Sequence, residues 1–345
     1  MVSQNLNLAR HGMAADIRFG FIPTEGGGFY QEALKEVLYG EELGFDSVWL
    51  EEHHGVRDHY WPSPIVCLAG FATCTSDILL GTDIVILPFY HPVRVAEDAA
   101  MLDVMSEGRF ILGVAIGYRP EEFELYQTPL KRRGARFVEQ VEIIKALWTQ
   151  DSVQFEGQFY QLQDASIEPK PIAQPHPPLW IGGWGNLSLK RAARLGDAWI
   201  PGPTADLKKL LECQEKYQTE LQVLGKSKPA ERPLTREMVI ADSDKEAFEL
   251  AEKYLLINYR DEYGGGWEHP LIGGEDHAPT DRLEALGEDR FIIGNPERCI
   301  QTIQHFMDTF GTNHLIFRLY FPGMPHEHIL HELELISREV MPVFK

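Results

Sequence analysis

The chain of 345 residues is short of cysteine, of positive charge and of long apolar runs, and each shortage removes a class of protein. Its four cysteines, Cys67, Cys74, Cys213 and Cys299, form no CxxC pair, so neither a disulfide framework nor a zinc ribbon is encoded, and buried free thiols are expected. Lys and Arg number 32 against 52 Asp and Glu, a formal charge of −20. A nucleic-acid or anionic-membrane partner would need a basic face, which this balance does not offer. No run approaches the ~20 apolar residues that span a bilayer, and a cytoplasmic protein is expected. The GxGxxG fingerprint, the GxxxxGKS/T phosphate loop and the HExxH metal motif are missing too. His326, His328 and His331 therefore read as a solvated helix face, and no metal site is expected.

What is present is an apolar content of 44%, ample for a sizeable core. Residues 1–16 are polar and lack the apolar stretch of a signal peptide. They are expected to form a disordered leader to one domain covering 17–345. Strand-type runs recur at residues 17–23, 47–50, 78–87, 110–116, 198–201, 234–241 and 314–319, with another beginning at Leu179. Helix-period segments such as 29–43, 91–108, 131–150 and 206–223 separate them. About eight such runs alternating with helices predict an α/β fold, a (β/α)8 TIM barrel with insertions. A doubly wound sheet is the alternative; it is weakened because no dinucleotide fingerprint follows the first run and polar residues recur at several strand ends. A hairpin is expected over 153–162, turning at Glu156–Gly157. Residues 260–290, with Gly264–Gly266 and Gly273–Gly274, are too long for a mere connection and read as a lid.

The most informative stretch is FDSVWLEEHH, Phe45 to His54, in which an apolar strand runs straight into two carboxylates and two imidazoles. The C-terminal ends of parallel strands are where barrels keep their chemistry. Side chains alternate along a strand, so only one of His53 and His54 can face the mouth, and Glu51 shares the face of His53 by period two. A single histidine there suits acid/base work and moves a proton, not a hydride. The glycine-rich bend of LWIGGWGN, Leu179 to Asn186, precedes a helix N-terminus and is a candidate phosphate site, which implies a phosphorylated cofactor for the harder chemistry. Asp83, inside the apolar run 78–87, needs a partner, either as a bulge cap or as a ligand-binding group.

Taken together, GFDSVWLEEHH, LLGTDIVILPFYHPVRVAEDAAMLDVMSEGRF, GVAIGYRPEEF, LWIGGWG and IGNPERCI resemble the bacterial luciferase-like, flavin-dependent oxidoreductase family, in order and over nearly the whole chain from Ile17. The resemblance implies a (β/α)8 barrel that binds reduced FMN, or in some branches a deazaflavin, at the strand C-termini, and commonly dimerises. It implies that His53 is the catalytic histidine, supported by His54 and Glu52. It implies a non-prolyl cis bond at Asp83–Ile84 behind the flavin ring, and backbone from Gly183 through Trp184, Gly185 and Asn186, with Ser188 nearby, at the flavin phosphate. Ile116 and Gly117 join the cofactor site; where luciferase chains carry an arginine after strand four, this chain has Ile116. The expected activity is that of a monooxygenase: reduced FMN from a separate flavin reductase, with O2, oxygenates a small organic substrate under the lid. A deazaflavin-dependent hydride transfer is the alternative. A non-catalytic flavin-binding partner subunit comes last, because such chains lose the first histidine of the pair.

Overall fold

The computed structural model describes residues 17–56, 60–262, 282–283, 286 and 289–345. The expected leader lies outside these residues, as does most of the expected lid. Strands and helices alternate as the sequence predicts. β1 (Arg18–Ile22), β2 (Ser47–Leu50), β3 (Leu79–Thr82) with β4 (Val85–Ile86), β5 (Phe110–Ala115), β8 (Leu179–Gly182), β9 (Ala198–Ile200), β10 (Pro233–Ile240) and β12 (His314–Arg318) are neighbours in that spatial order, all parallel. β12 pairs back onto β1, Arg18 opposite His314, and the Thr235 N–H reaches the Pro201 carbonyl at 3.5 Å to bridge β9 and β10. The result is the (β/α)8 barrel. β6 (Val153–Glu156) and β7 (Gln161–Ala165) form the antiparallel hairpin outside it, with a longer turn than expected because Glu139 accepts from the Gln158, Phe159 and Tyr160 N–H groups and holds 157–160 open. The sequence reading missed β11 (Ile292–Gly294), three residues that extend the sheet beside β10.

Helices cover the outside: α1 (Tyr30–Glu42), α2 (Pro64–Ala72), α3 (Pro92–Met105), α4 (Pro120–Leu125), α5 (Arg133–Thr149), α6 (Asn186–Leu195), α7 (Leu207–Val223), α8 (Asp244–Leu250), α9 (Leu256–Glu262), α10 (Pro296–Thr309) and α11 (His326–Leu335). Their ends follow local chemistry. Gly44, at φ 85°, closes α1 in the left-handed conformation that favours glycine, and Asp206 and Asn295 accept the Lys209 and Arg298 N–H groups at 2.7 and 2.9 Å to start α7 and α10. The expected helix at 244–258 continues through a π-turn at Ala251–Leu255 into α9. Of the four thiols, all free, Cys213 and Cys299 are buried as expected, but Cys74 at the end of α2 is exposed and Cys67 half-buried.

The barrel floor explains three glycines. Trp49 and Trp180 stack inside the ring, centroids 4.8 Å apart, with His314 edge-on to both. A Cβ on Gly81 would lie 2.2 Å from the Trp49 ring, one on Gly20 would lie 2.1 Å from Ser47 Oγ, and one on Gly113 would lie 1.9 Å from the Thr82 carbonyl. Two indoles thus plug the base and leave the strand C-termini as the end open to a ligand among the described residues.

The run 78–87 breaks where its polar residue sits. After Thr82 the ladder to β5 is continued by a side chain, Thr82 Oγ1 donating to the Gly113 carbonyl at 2.8 Å and accepting from its N–H at 2.9 Å. The Asp83–Ile84 peptide is cis, at the bond the resemblance implied, and pairing with β5 resumes at Val85.

Candidate active site

Above the indole floor lies a cavity of about 370 Å³ lined by the strand ends. β2 contributes Glu51, Glu52 and His53; the β3–β4 break contributes Asp83 and Ile84; β5 contributes Ala115 to Tyr118; β8 contributes Gly182 to Gly185. Ser188, Arg133, Tyr60 and Arg318 join the wall, and Ile86 with Ile200, Gly202, Pro203 and Thr204 complete it. Of the residues singled out from the sequence, all but His54 and Asn186 therefore meet in one space.

The β2 end is held by carboxylates from both sides. His53 Nδ1 is 2.7 Å from Glu122 Oε1, and the same oxygen accepts the His54 N–H at 2.9 Å. Burial alone would raise the Glu122 carboxyl. The His53 hydrogen bond and charge, the His54 N–H and the Arg119 guanidinium outweigh it and hold the group below its ordinary value, so it is ionised. An ionised carboxylate only accepts, so Nδ1 donates, and in the neutral ring Nε2 is left as the nitrogen that takes up a proton. Tyr60 and Tyr118 abut the imidazole edge-on at 4.6 and 5.9 Å. His54 points away from the cavity, its Nε2 3.1 Å from Glu52 Oε1 and its Nδ1 3.0 Å from the Tyr126 hydroxyl. Glu52 in turn accepts the Ile86 N–H and the Tyr90 hydroxyl, which ties β2 to the segment after the cis bond.

Asp83 accepts Thr235 Oγ1–H on Oδ2 at 2.5 Å. Burial, and then the charge of Glu51, push its carboxyl up to about 7 against the lowering by Thr235 and Arg318. Arg318 lies within 3.1 Å of Glu51, 3.2 Å of Glu25 and 3.7 Å of Glu237, and its guanidinium covers the Tyr60 ring at 5.1 Å.

At the β5–β8 end a second hollow, of about 390 Å³, shares Ile116, Arg133, Gly185 and Ser188 with the cavity and is shaped also by Asn186 and Arg191. Both guanidiniums are held below the ordinary arginine value, by burial first and, for Arg191, by the charge of Arg133 next. Neither pairs with a carboxylate among the described residues. A Cβ on Gly134 would lie 2.2 Å from Arg191 Nη2, so glycine there keeps the guanidinium in place. Gly185 gives α6 no side-chain cap, which leaves the first N–H groups of that helix for an anion. Two uncompensated arginines, a helix N-terminus and the Ser188 hydroxyl make a cradle for a phosphate, and the apolar slot of Ile84, Ile86, Ile116 and Ile200 beside it suits a flat ring. The residues present fit a flavin-type cofactor.

Residues 11–313 match a protein family described as luciferase-like monooxygenase. The chain belongs to that family. Among its luciferase-like relatives is the oxygenase component of the flavin-dependent trigonelline monooxygenase of Acinetobacter baylyi, 29% identical over 340 residues, covering 91% of this chain and 90% of that protein. Another is the F420-dependent glucose-6-phosphate dehydrogenase of Amycolatopsis mediterranei, 28% identical over 338 residues, covering 90% and 94%. The crystal structure of a monooxygenase from Streptomyces bottropensis superposes with a TM-score of 0.83 at 24% identity, covering 95% of this chain and all of that one. The chain is an enzyme of the luciferase-like class.

Several residues of this site escaped the sequence reading, Glu122, Arg133, Arg191, Tyr60 and Arg318 among them. Glu122 sits on α4, a helix of six residues too short to show a period. Arg133 and Arg191 open and continue two different helices, and only the fold brings them together. The signal for Glu122 was present in RPEEF, where Pro120 marks a helix start just past the end of β5. Among the described residues no group of three or more His, Cys, Asp or Glu could hold a metal; His326 instead bonds Glu36 at 2.7 Å.

Proposed function

We propose that the protein is the oxygenase of a two-component flavin monooxygenase, which uses reduced FMN from a separate reductase and O2 to oxygenate a small organic substrate. The observation that carries this reading is the wall of Ile116, Arg133, Gly185 and Ser188 shared by the cavity of the carboxylate-held His53 imidazole and the hollow of the two uncompensated guanidiniums. Reduced FMN supplies the two electrons that activate O2. The residues supply the rest. Arg133, Arg191, Ser188 and the N-terminus of α6 bind the phosphate, with Gly183, Trp184, Gly185 and Asn186 forming the bend around it. Asp83, Ile84, Ile116 and Gly117 border the ring. His53 exchanges a proton through Nε2 while Glu122 fixes its tautomer; Glu52 and His54 hold the strand end on which it stands. The floor of Trp49 and Trp180 excludes water from below.

The similarity to F420-dependent dehydrogenases supports a second reading, deazaflavin-dependent hydride transfer, in the same cavity. Anaerobic titration with reduced FMN and with reduced deazaflavin separates the two. Tight deazaflavin binding with none for FMN would overturn the first reading. A homodimer is also proposed: α2, PIVCLAGFA, has no polar side chain yet leaves Val66 71% exposed, a face that a second copy would cover. Among the described residues no helix is long and apolar enough to cross a membrane, and a cytoplasmic location is proposed.

A further inference from the structure

We propose that the substrate of this site carries a positively charged nitrogen, held by the Glu51 and Asp83 side of the cavity. The inference rests on the reading of this cavity as the place of flavin and substrate. The cavity is electrically divided. Arg133 and Arg191 make the end toward β5 and β8 positive, and a flavin phosphate neutralises them. At the opposite end the balance is reversed. The guanidinium there, Arg318, is already shared among Glu51, Glu25 and Glu237, so an anionic ligand would compete with three carboxylates for it. The Glu51 contact is close, 3.1 Å, but Glu51 Oε2 makes no hydrogen bond with it.

Asp83 is an independent sign. It is 8% exposed and lines the cavity, yet among the described residues only Oδ2 is hydrogen-bonded, to Thr235; Oδ1 has no such bond. Its carboxyl is raised to about 7, by burial first and then by the charge of Glu51, so a cation placed beside it would favour its ionised form. An ammonium or pyridinium group at this wall would meet Glu51 and Asp83 together, and the chain's charge of −20 favours the approach of a cation from solution. A neutral ligand can offer the wall no more than an uncharged hydrogen bond, and an anion is repelled by it.

The test uses the full chain, with and without FMN, and three probes of similar size: benzyltrimethylammonium, benzyl alcohol and benzoate, each titrated by calorimetry. The cation is expected to bind about tenfold more tightly than the alcohol, with benzoate weakest. Glu51→Gln and Asp83→Asn should each remove most of that preference, and in Glu51→Gln FMN affinity should stay within about twofold. Benzoate binding as well as the cation, a preference that survives both substitutions, or an equal loss of FMN and cation binding in Glu51→Gln would each overturn the proposal. If wild type fails to bind FMN, the flavin reading falls, and the cation titration of the FMN-free chain still decides this one. Should Glu51→Gln not fold, as judged by circular dichroism, Asp83→Asn carries the comparison.

Discussion

Replacing Arg191 by alanine tests the phosphate cradle in a way few substitutions can, because the folded protein loses nothing by it. Arg191 has no carboxylate partner among the described residues, and its neighbour Arg133 repels it. Its hydrogen bond to Ser188 Oγ is long at 3.4 Å. Stability of the FMN-free Arg191→Ala protein should therefore equal or slightly exceed that of wild type. A phosphate changes the balance. A charge-assisted hydrogen bond contributes ~1.5–3 kcal/mol, so removing one guanidinium should weaken FMN about 10- to 100-fold. Riboflavin has the same ring without the phosphate and should be affected by no more than about twofold. Quenching of flavin fluorescence, with FMN and riboflavin titrated side by side at two salt concentrations, reads both. Equal losses for the two ligands would refute the assignment, since the arginine would then be acting on the ring or on the fold. Gly134→Ala is the matched control: its Cβ would lie 2.2 Å from Arg191 Nη2, the far end of a flexible side chain. It should displace that guanidinium and reproduce part of the FMN loss with little cost in stability.

Three further outcomes follow from the same geometry. Glu122→Gln keeps the size of the side chain but removes the charge that His53 Nδ1 and the His54 N–H share, so turnover should fall roughly 100-fold with FMN affinity retained; a loss of FMN binding instead would contradict a positioning role. Asp83 is protonated more readily folded than unfolded, so its contribution to stability is full below pH ~4 and is lost as pH rises through about 7. The full difference amounts to roughly 4 kcal/mol, of which about 3 kcal/mol falls between pH 5 and pH 8, and Asp83→Asn should flatten that part in urea unfolding compared at those two values. Gly81→Ala forces a methyl into the Trp49 ring, which cannot retreat because Trp180 is stacked against it. A loss of about 1–3 kcal/mol should appear as a lower melting temperature, and an unchanged one would mean the floor is looser than drawn.

The fold was legible because parallel strands buried on both faces read as short apolar runs, and ten-residue or longer helices show their period. β2 was read to the residue, Ser47–Leu50. What escaped was short or non-local. β11 has three residues and leads straight into the cap of α10, so it carries no alternation to detect. Asp83 was recognisable as misplaced in an apolar run, but that it splits the run into β3 and β4 depends on Thr82 finding Gly113 across the sheet. Strand alternation let only one of His53 and His54 face the mouth and the family motif pointed to His53; in the structure the His53 ring lines the cavity while the His54 ring is bonded behind it. It could not supply Glu122, 69 residues away. The same holds for the arginines. Ile116 looked like a missing phosphate contact, and the charge is instead gathered beside it from α5 and α6.

The single oxygen Glu122 Oε1 serves both the ring of His53 and the backbone of His54, and so joins the loop after β5 to the end of β2. Barrels of this kind are commonly regarded as scaffolds whose loops can be exchanged one at a time. Here two of them are a single inherited unit. A chimera that took the loop after β5 from a relative without a carboxylate at this height would orphan the imidazole it never touched in sequence, whereas moving both loops together would carry the acid/base pair intact into a new pocket.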